Sequence, residues 1–138
     1  MKSFWVFGAL VLALAVTYPA FALRAENAWV VTPPSGAREA AAFVNVNDAA
    51  GDRLVRVSCT CSARAELHEM SMAGATMTMR PLTDGAEIPA GGLRMGPHGV
   101  HIMLIGLSSP LNDGDQVQLH LEFRSASPVV VTAMVRRR

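Results

Sequence analysis

Eight short runs of β-branched and apolar residues, parted by turn residues, leave this chain little to fold into except a β structure. The runs are "AWVVT", "AAFVNVN", "RLVRVS", "AELHEM", "TMTMR", "GVHIMLIGL", "QVQLHLEF" and "VVVTAMV". Between them stand Pro33-Pro34-Ser35-Gly36, Asp48 to Asp52, Ala73-Gly74, Asp84-Gly85, Gly91-Gly92, Gly96-Pro97 and Asn112-Asp113-Gly114-Asp115. Such clusters end one strand and turn the chain into the next. No stretch carries a sustained helical period, and Gly36 to Ala42 reads as a loop. Strands at this spacing predict a single antiparallel sandwich or barrel.

The N-terminus reads differently. Lys2 gives a short basic start, Phe4 to Val16 is an apolar run shorter than a comfortable membrane span, and Ala20-Phe21-Ala22 supplies a small-x-small pattern. This is the form of a secretory signal peptide over residues 1–22. It leaves one copy of an ordinary domain over residues 23–138, long enough to bury its own core. Twelve basic residues stand against eleven acidic ones, so there is no basic field of the kind that binds nucleic acid. Arg136 to Arg138 read as a solvated tail.

Strand alternation places the chemistry. In "GVHIMLIG", Val100, Ile102 and Leu104 share one face, while His101, Met103 and Ile105 share the other. His68 and Met70 lie opposite Leu67, and Met77 and Met79 lie opposite Thr76, Thr78 and Arg80. Three strands thus present doublets: His68/Met70, Met77/Met79 and His101/Met103. Methionine fills irregular gaps in cores, which is the reading for Met95 and Met134. Histidine belongs poorly in a dry core without partners. The doublets therefore indicate an exposed site.

Thioether and neutral imidazole together suit Cu(I), and they suit magnesium, calcium or zinc poorly. Blue-copper electron transfer needs a thiolate beside two histidines, and no cysteine lies near His101. No Gly-x-Ser-x-Gly elbow or His-Glu-x-x-His helix marks a hydrolase. The chain reads as a non-enzyme.

The two cysteines, Cys59 and Cys61 in "SCTCS", admit three readings: a disulfide, a pair of soft thiolate ligands, or two inert small residues. On an extended strand, residues two apart sit near the upper limit of disulfide spacing. An exported chain can nonetheless form such bonds.

A histidine, ten residues, a methionine, twenty-one residues and then His-x-Met is the signature of the PCu(A)C periplasmic copper chaperones. His68, Met79, His101 and Met103 stand at that spacing. "NAWVVTPP", "ELHEM", "MRPL", "IPAGG" and "PLNDGDQVQLHLEF" also resemble the family, and the resemblance covers nearly all of residues 23–138. It implies a cupredoxin-like Greek-key antiparallel β-sandwich or barrel holding one Cu(I). It also implies delivery in the periplasm toward the binuclear copper centre of cytochrome c oxidase, alone or with a Sco-type thiol protein. The chain departs from the pattern at His98, where glycine is usual, in its thiol pair, and in lacking a His/Met-rich tail for a second, Cu(II) ion.

Met70 stands beside these ligands as a further ligand or as packing. Met72 and Met77 read as cover or transient docking ligands, His98 as a solvated loop residue and His120 as an exposed strand residue. Two other functions compete with copper delivery. One is thiol-redox chemistry at Cys59 and Cys61 beside copper; the other is copper storage or sensing in the envelope.

Overall fold

The computed structural model describes residues 23–138, and the expected signal peptide lies outside them. All regular structure in this part is β: β1 (Arg24–Val31), β2 (Glu39–Asn47), β3 (Arg53–Cys59), β4 (Ser62–Ala73), β5 (Thr76–Pro81), β6 (Ala86–Glu87), β7 (Leu93–Arg94), β8 (Val100–Leu107), β9 (Gln116–Phe123) and β10 (Val129–Arg136). Each of the eight runs read from the sequence forms a strand. The two-residue strands β6 and β7 are additions, too short to leave a periodic signal. The stretch read as a loop from Gly36 ends early, because β2 already begins at Glu39.

The strands join in the order β5-β4-β8-β2-β1-β10-β9-β3-β6, with β7 pairing β2. This is a cupredoxin-like, Greek-key β fold. The pairings are antiparallel except that β1 runs parallel to β10, with Trp29 beside Met134. The expected antiparallel β fold is thus present, with this one parallel pairing within it. Parallel neighbours need a long connection, and here it is almost the whole domain.

The curled sheet buries one face. Val30, Ala42, Val44, Val46, Leu54, Ile102, Leu104, Leu119, Leu121, Ala133 and Val135 are its fully enclosed centre. Met95 joins this core as expected, but Met134 is 47% exposed. Alternation explains the correction: Ala133 and Val135 point inward, so Met134 between them points out. In β8, the backbone N–H groups of Gly106 and Leu107 both donate to the Arg38 carbonyl, each at 3.0 Å. Two residues opposite one make a bulge. Gly106 adopts φ +72°, and a Cβ there would come within 2.9 Å of the Ala63 side chain.

The turn between β3 and β4 holds the cysteines. Cys59 and Cys61 form a disulfide, with Cα atoms 5.1 Å apart. The chain bends at Thr60 and Cys61, which shortens the distance that an extended strand would impose. A thiolate ligand pair and two inert residues are both set aside.

Candidate metal site

Three adjacent strands at one side of the sheet, β5, β4 and β8, carry the four sequence-predicted ligands. His68 on β4 stands directly across from His101 on β8, their ring centroids 5.9 Å apart. Met103 follows two residues after His101 on the same face, opposite Glu66. Met79 on β5 comes to His68 from the other side, with its Sδ 3.0 Å from His68 Nδ1. Met70, Met77, Met79, His101 and Met103 line one open groove of about 360 Å³, which Phe43, Pro97 and His98 help to wall.

The site lies on the outer face of the sheet, as alternation predicts. Its depth is uneven, however. Met79 is 47% exposed and Met103 half-buried, but His101 is only 2% exposed. The sequence reading placed His101 on an open surface. Phe43, 6.4 Å from its ring, covers it, and Trp29 stacks on Phe43 at 4.9 Å. That aromatic layer comes from β1 and β2, far from "GVHIML" in sequence.

The two imidazoles are held by different means. His101 Nδ1 lies 3.1 Å from the Gly99 carbonyl oxygen, an acceptor only, so that nitrogen carries the proton. In the neutral ring His101 Nε2 is then a lone pair, buried and with no hydrogen-bond partner among the described residues. An orphaned buried acceptor is unfavourable unless something else binds it. His68 Nε2 lies 2.9 Å from Glu66 Oε2. The hydrogen bond from His68, with desolvation opposing it and Arg64 assisting, holds the Glu66 carboxyl below its ordinary range. An ionised carboxylate can only accept, so Nε2 donates to it, and in the neutral ring the Nδ1 lone pair faces Met79 Sδ. Such second contacts fix the ring and the tautomer of a metal-binding histidine.

The donors fit a soft monovalent ion. They are neutral imidazole nitrogens and thioether sulfurs, and no group of three or more His, Cys, Asp or Glu side chains assembles a harder site among the described residues. The cysteines stand apart. Ser62 pairs with Leu107 at one end of β8, and His68 pairs with His101 at the other. Six residues of strand put the disulfide roughly 20 Å from the histidines, so thiol chemistry beside copper finds no support in this geometry.

Sequence reasoning did not foresee the roles of Glu66 and the chain end. Glu66 was legible as the residue two before His68 on the same face. The end is less tail-like than it read: Arg136 lies over the Trp29 ring at 4.4 Å, Arg137 pairs with Asp113 at 2.9 Å, and Arg138 lines the groove. His98 also lines the groove, while His120 is half-buried on β9 and distant in the sheet order.

A family model described as "Putative lipoprotein LpqE-like" matches residues 23–135. The chain is 37% identical over 114 residues to "Putative lipoprotein Lxx21020" of Leifsonia xyli subsp. xyli (strain CTCB07), covering 79% of this chain and 68% of that one. Among solved structures it resembles the copper-bound PCuAC domain from PmoF2, with 23% identity, a TM-score of 0.67 and coverage of 88% of this chain and 97% of that one. It also resembles the CuI-DR1885 solution structure from Deinococcus radiodurans, with 27% identity, a TM-score of 0.60 and coverage of 91% and 84%. By the span of the family match and the shared architecture, the chain belongs to the LpqE-like family and has the PCuAC fold.

Proposed function

We propose that this protein is an exported copper chaperone that carries one Cu(I) on His68, Met79, His101 and Met103, with Met70 at the margin. The observation that carries the reading is the buried Nε2 of His101, without a hydrogen-bond partner among the described residues, in a groove that four methionine thioethers line. The copper-bound PCuAC domain and CuI-DR1885 support copper as the cargo, and the second supports the cuprous state. The lipoprotein descriptions of the relatives support export to the cell envelope. Placement in the periplasm and delivery toward the copper centre of cytochrome c oxidase, with or without a Sco-type thiol protein, complete the proposal.

The graded depth of the site suits a carrier. His101 anchors the ion from below, while Met79, half in solvent, can leave first and admit a ligand from a partner. A store gains nothing from an exposed ligand. No catalytic step is needed, since the ion enters and leaves as Cu(I). X-ray absorption of the Cu(I)-loaded protein tests the reading: sulfur and nitrogen should both appear in the shell, with two or three sulfurs. A shell of nitrogen and oxygen alone would reject it.

A further inference from the structure

The β4–β5 hairpin runs on beyond the last pairing of β4 with β8, at Glu69 and Val100, and past this point β5 is the only strand that pairs β4 among the described residues. Its two faces differ sharply. One face carries the ion pair of Glu69 with Arg80 at 2.7 Å and the hydroxyl contact of Ser71 with Thr78 at 3.1 Å. The other carries three rungs in register: His68 opposite Pro81, Met70 opposite Met79, and Met72 opposite Met77.

The outermost rung has no core to fill. Every residue from Ser71 to Pro81 is exposed, with Met72 at 63% and Met77 at 49%. Methionine is not a favoured strand residue, and β-branched or aromatic side chains would stabilise such a pair better. Packing and strand propensity therefore leave two opposed thioethers in water without a reason. Directly opposed residues bring their Cβ atoms to about 5 Å, within reach of one ion between two flexible methionine side chains. Rungs two residues apart are separated by roughly 7 Å along the strand.

We infer that Met72 and Met77 form a second, weaker Cu(I) site at the hairpin tip, from which the ion steps along the methionine rungs to the histidines. The inference rests on the copper-carrier reading for its direction of travel. The step is ligand exchange alone: a tip thioether leaves as a Met70 or Met79 thioether binds, and no electron moves. Met77 lines the groove together with Met79, so the outermost rung is continuous with the Met70–Met79 rung. Two neutral sulfurs without imidazole bind only a soft ion, and weakly, as an entry and exit station requires.

The test uses the chain carrying ¹³C-methyl methionine, with Ag(I) as a soft monovalent probe that stays in one oxidation state. In an NMR titration, the first equivalent should move the methyl signals of Met79 and Met103, and the second those of Met72 and Met77. Met72→Leu, which keeps the volume, should abolish the second event at Met77 and leave the first in place. It should also slow loading from a Cu(I) chelate several-fold. Stationary Met72 and Met77 signals through two equivalents, or wild-type loading in Met72→Leu, would overturn the tip site. If Met72 and Met77 move while Met79 and Met103 do not, the tip site stands and the histidine site is the one rejected.

Discussion

Glu66 accepts a 2.9 Å hydrogen bond from Nε2 of His68, on the same face of β4 and two residues away. The carboxylate leaves Nδ1 as the only lone pair that His68 can offer to a metal. Glu66→Ala should therefore weaken Cu(I) binding by about 10- to 100-fold, the usual effect of removing such a support, without unfolding the protein. Competition with a Cu(I) chelator measures it. Unchanged affinity would mean that Met79 and the strand backbone orient the ring unaided.

Acid should loosen copper, because protons compete with metal at imidazole but not at thioether. Affinity should fall as the solution is acidified, with protons taken up as copper leaves. A His68→Met, His101→Met double variant should show a flatter profile. Equal steepness in both proteins would remove the histidines from the ligand set.

Asp52 ties the start of β3 to the loop after β9. Burial pushes its carboxyl up, but the N–H groups of Arg53, Ala126 and Ser125, at 2.8, 2.9 and 3.0 Å, outweigh it and leave it below its ordinary range. A carboxyl lowered in the fold stabilises above its unfolded value near 4, and that stabilisation is lost as pH falls through the folded value. Asp52→Ala should destabilise the protein by about 1 to 3 kcal/mol at pH 7. The gap should narrow in urea titrations near pH 3. A gap independent of pH would show that the ionised form is not what the loop uses.

The two methionines read as core residues should now behave differently. Met95→Ala should destabilise by about 2 to 5 kcal/mol, the range for a truncated buried side chain. Met134→Ala, on the outer face, should change stability by less than about 0.5 kcal/mol. Thermal unfolding of the two variants compares them directly.

Separating the disulfide from copper gives the last expectation. A Cys59→Ser, Cys61→Ser double variant should bind Cu(I) with wild-type affinity, since six residues of β4 lie between the two features. A loss of copper binding in a folded double variant would restore the thiols to the function.

The strands and the doublets were legible because period-two alternation is local. Leu67 against His68, and Ile102 against His101, declare their faces within a few residues. Depth was not legible. The cover over His101 comes from Phe43 and Trp29, which only the sheet order brings beside β8. Met134 was misjudged for a different reason: its neighbours Ala133 and Val135 already announced the inner face, and the adaptability of methionine outweighed that signal. The turn at Thr60 and Cys61 sits between two strand-like runs with no glycine or proline to mark it, so the disulfide spacing was read as if the chain were straight.

The parallel pairing of β1 with β10 has a consequence for how the molecule is made. β1 lies in the middle of the sheet, yet one of its two ladders is supplied by residues more than a hundred positions later. Closing so long a loop is slow, because its entropy must be lost before any contact repays it. Until β10 arrives, β1 and β9 each present an open edge, and the inward side of Val30 lacks Ala133 and Val135. The native sheet therefore forms late, when nearly the whole chain is present at once. In the meantime the nascent protein exposes unpaired strands to which other chains can add.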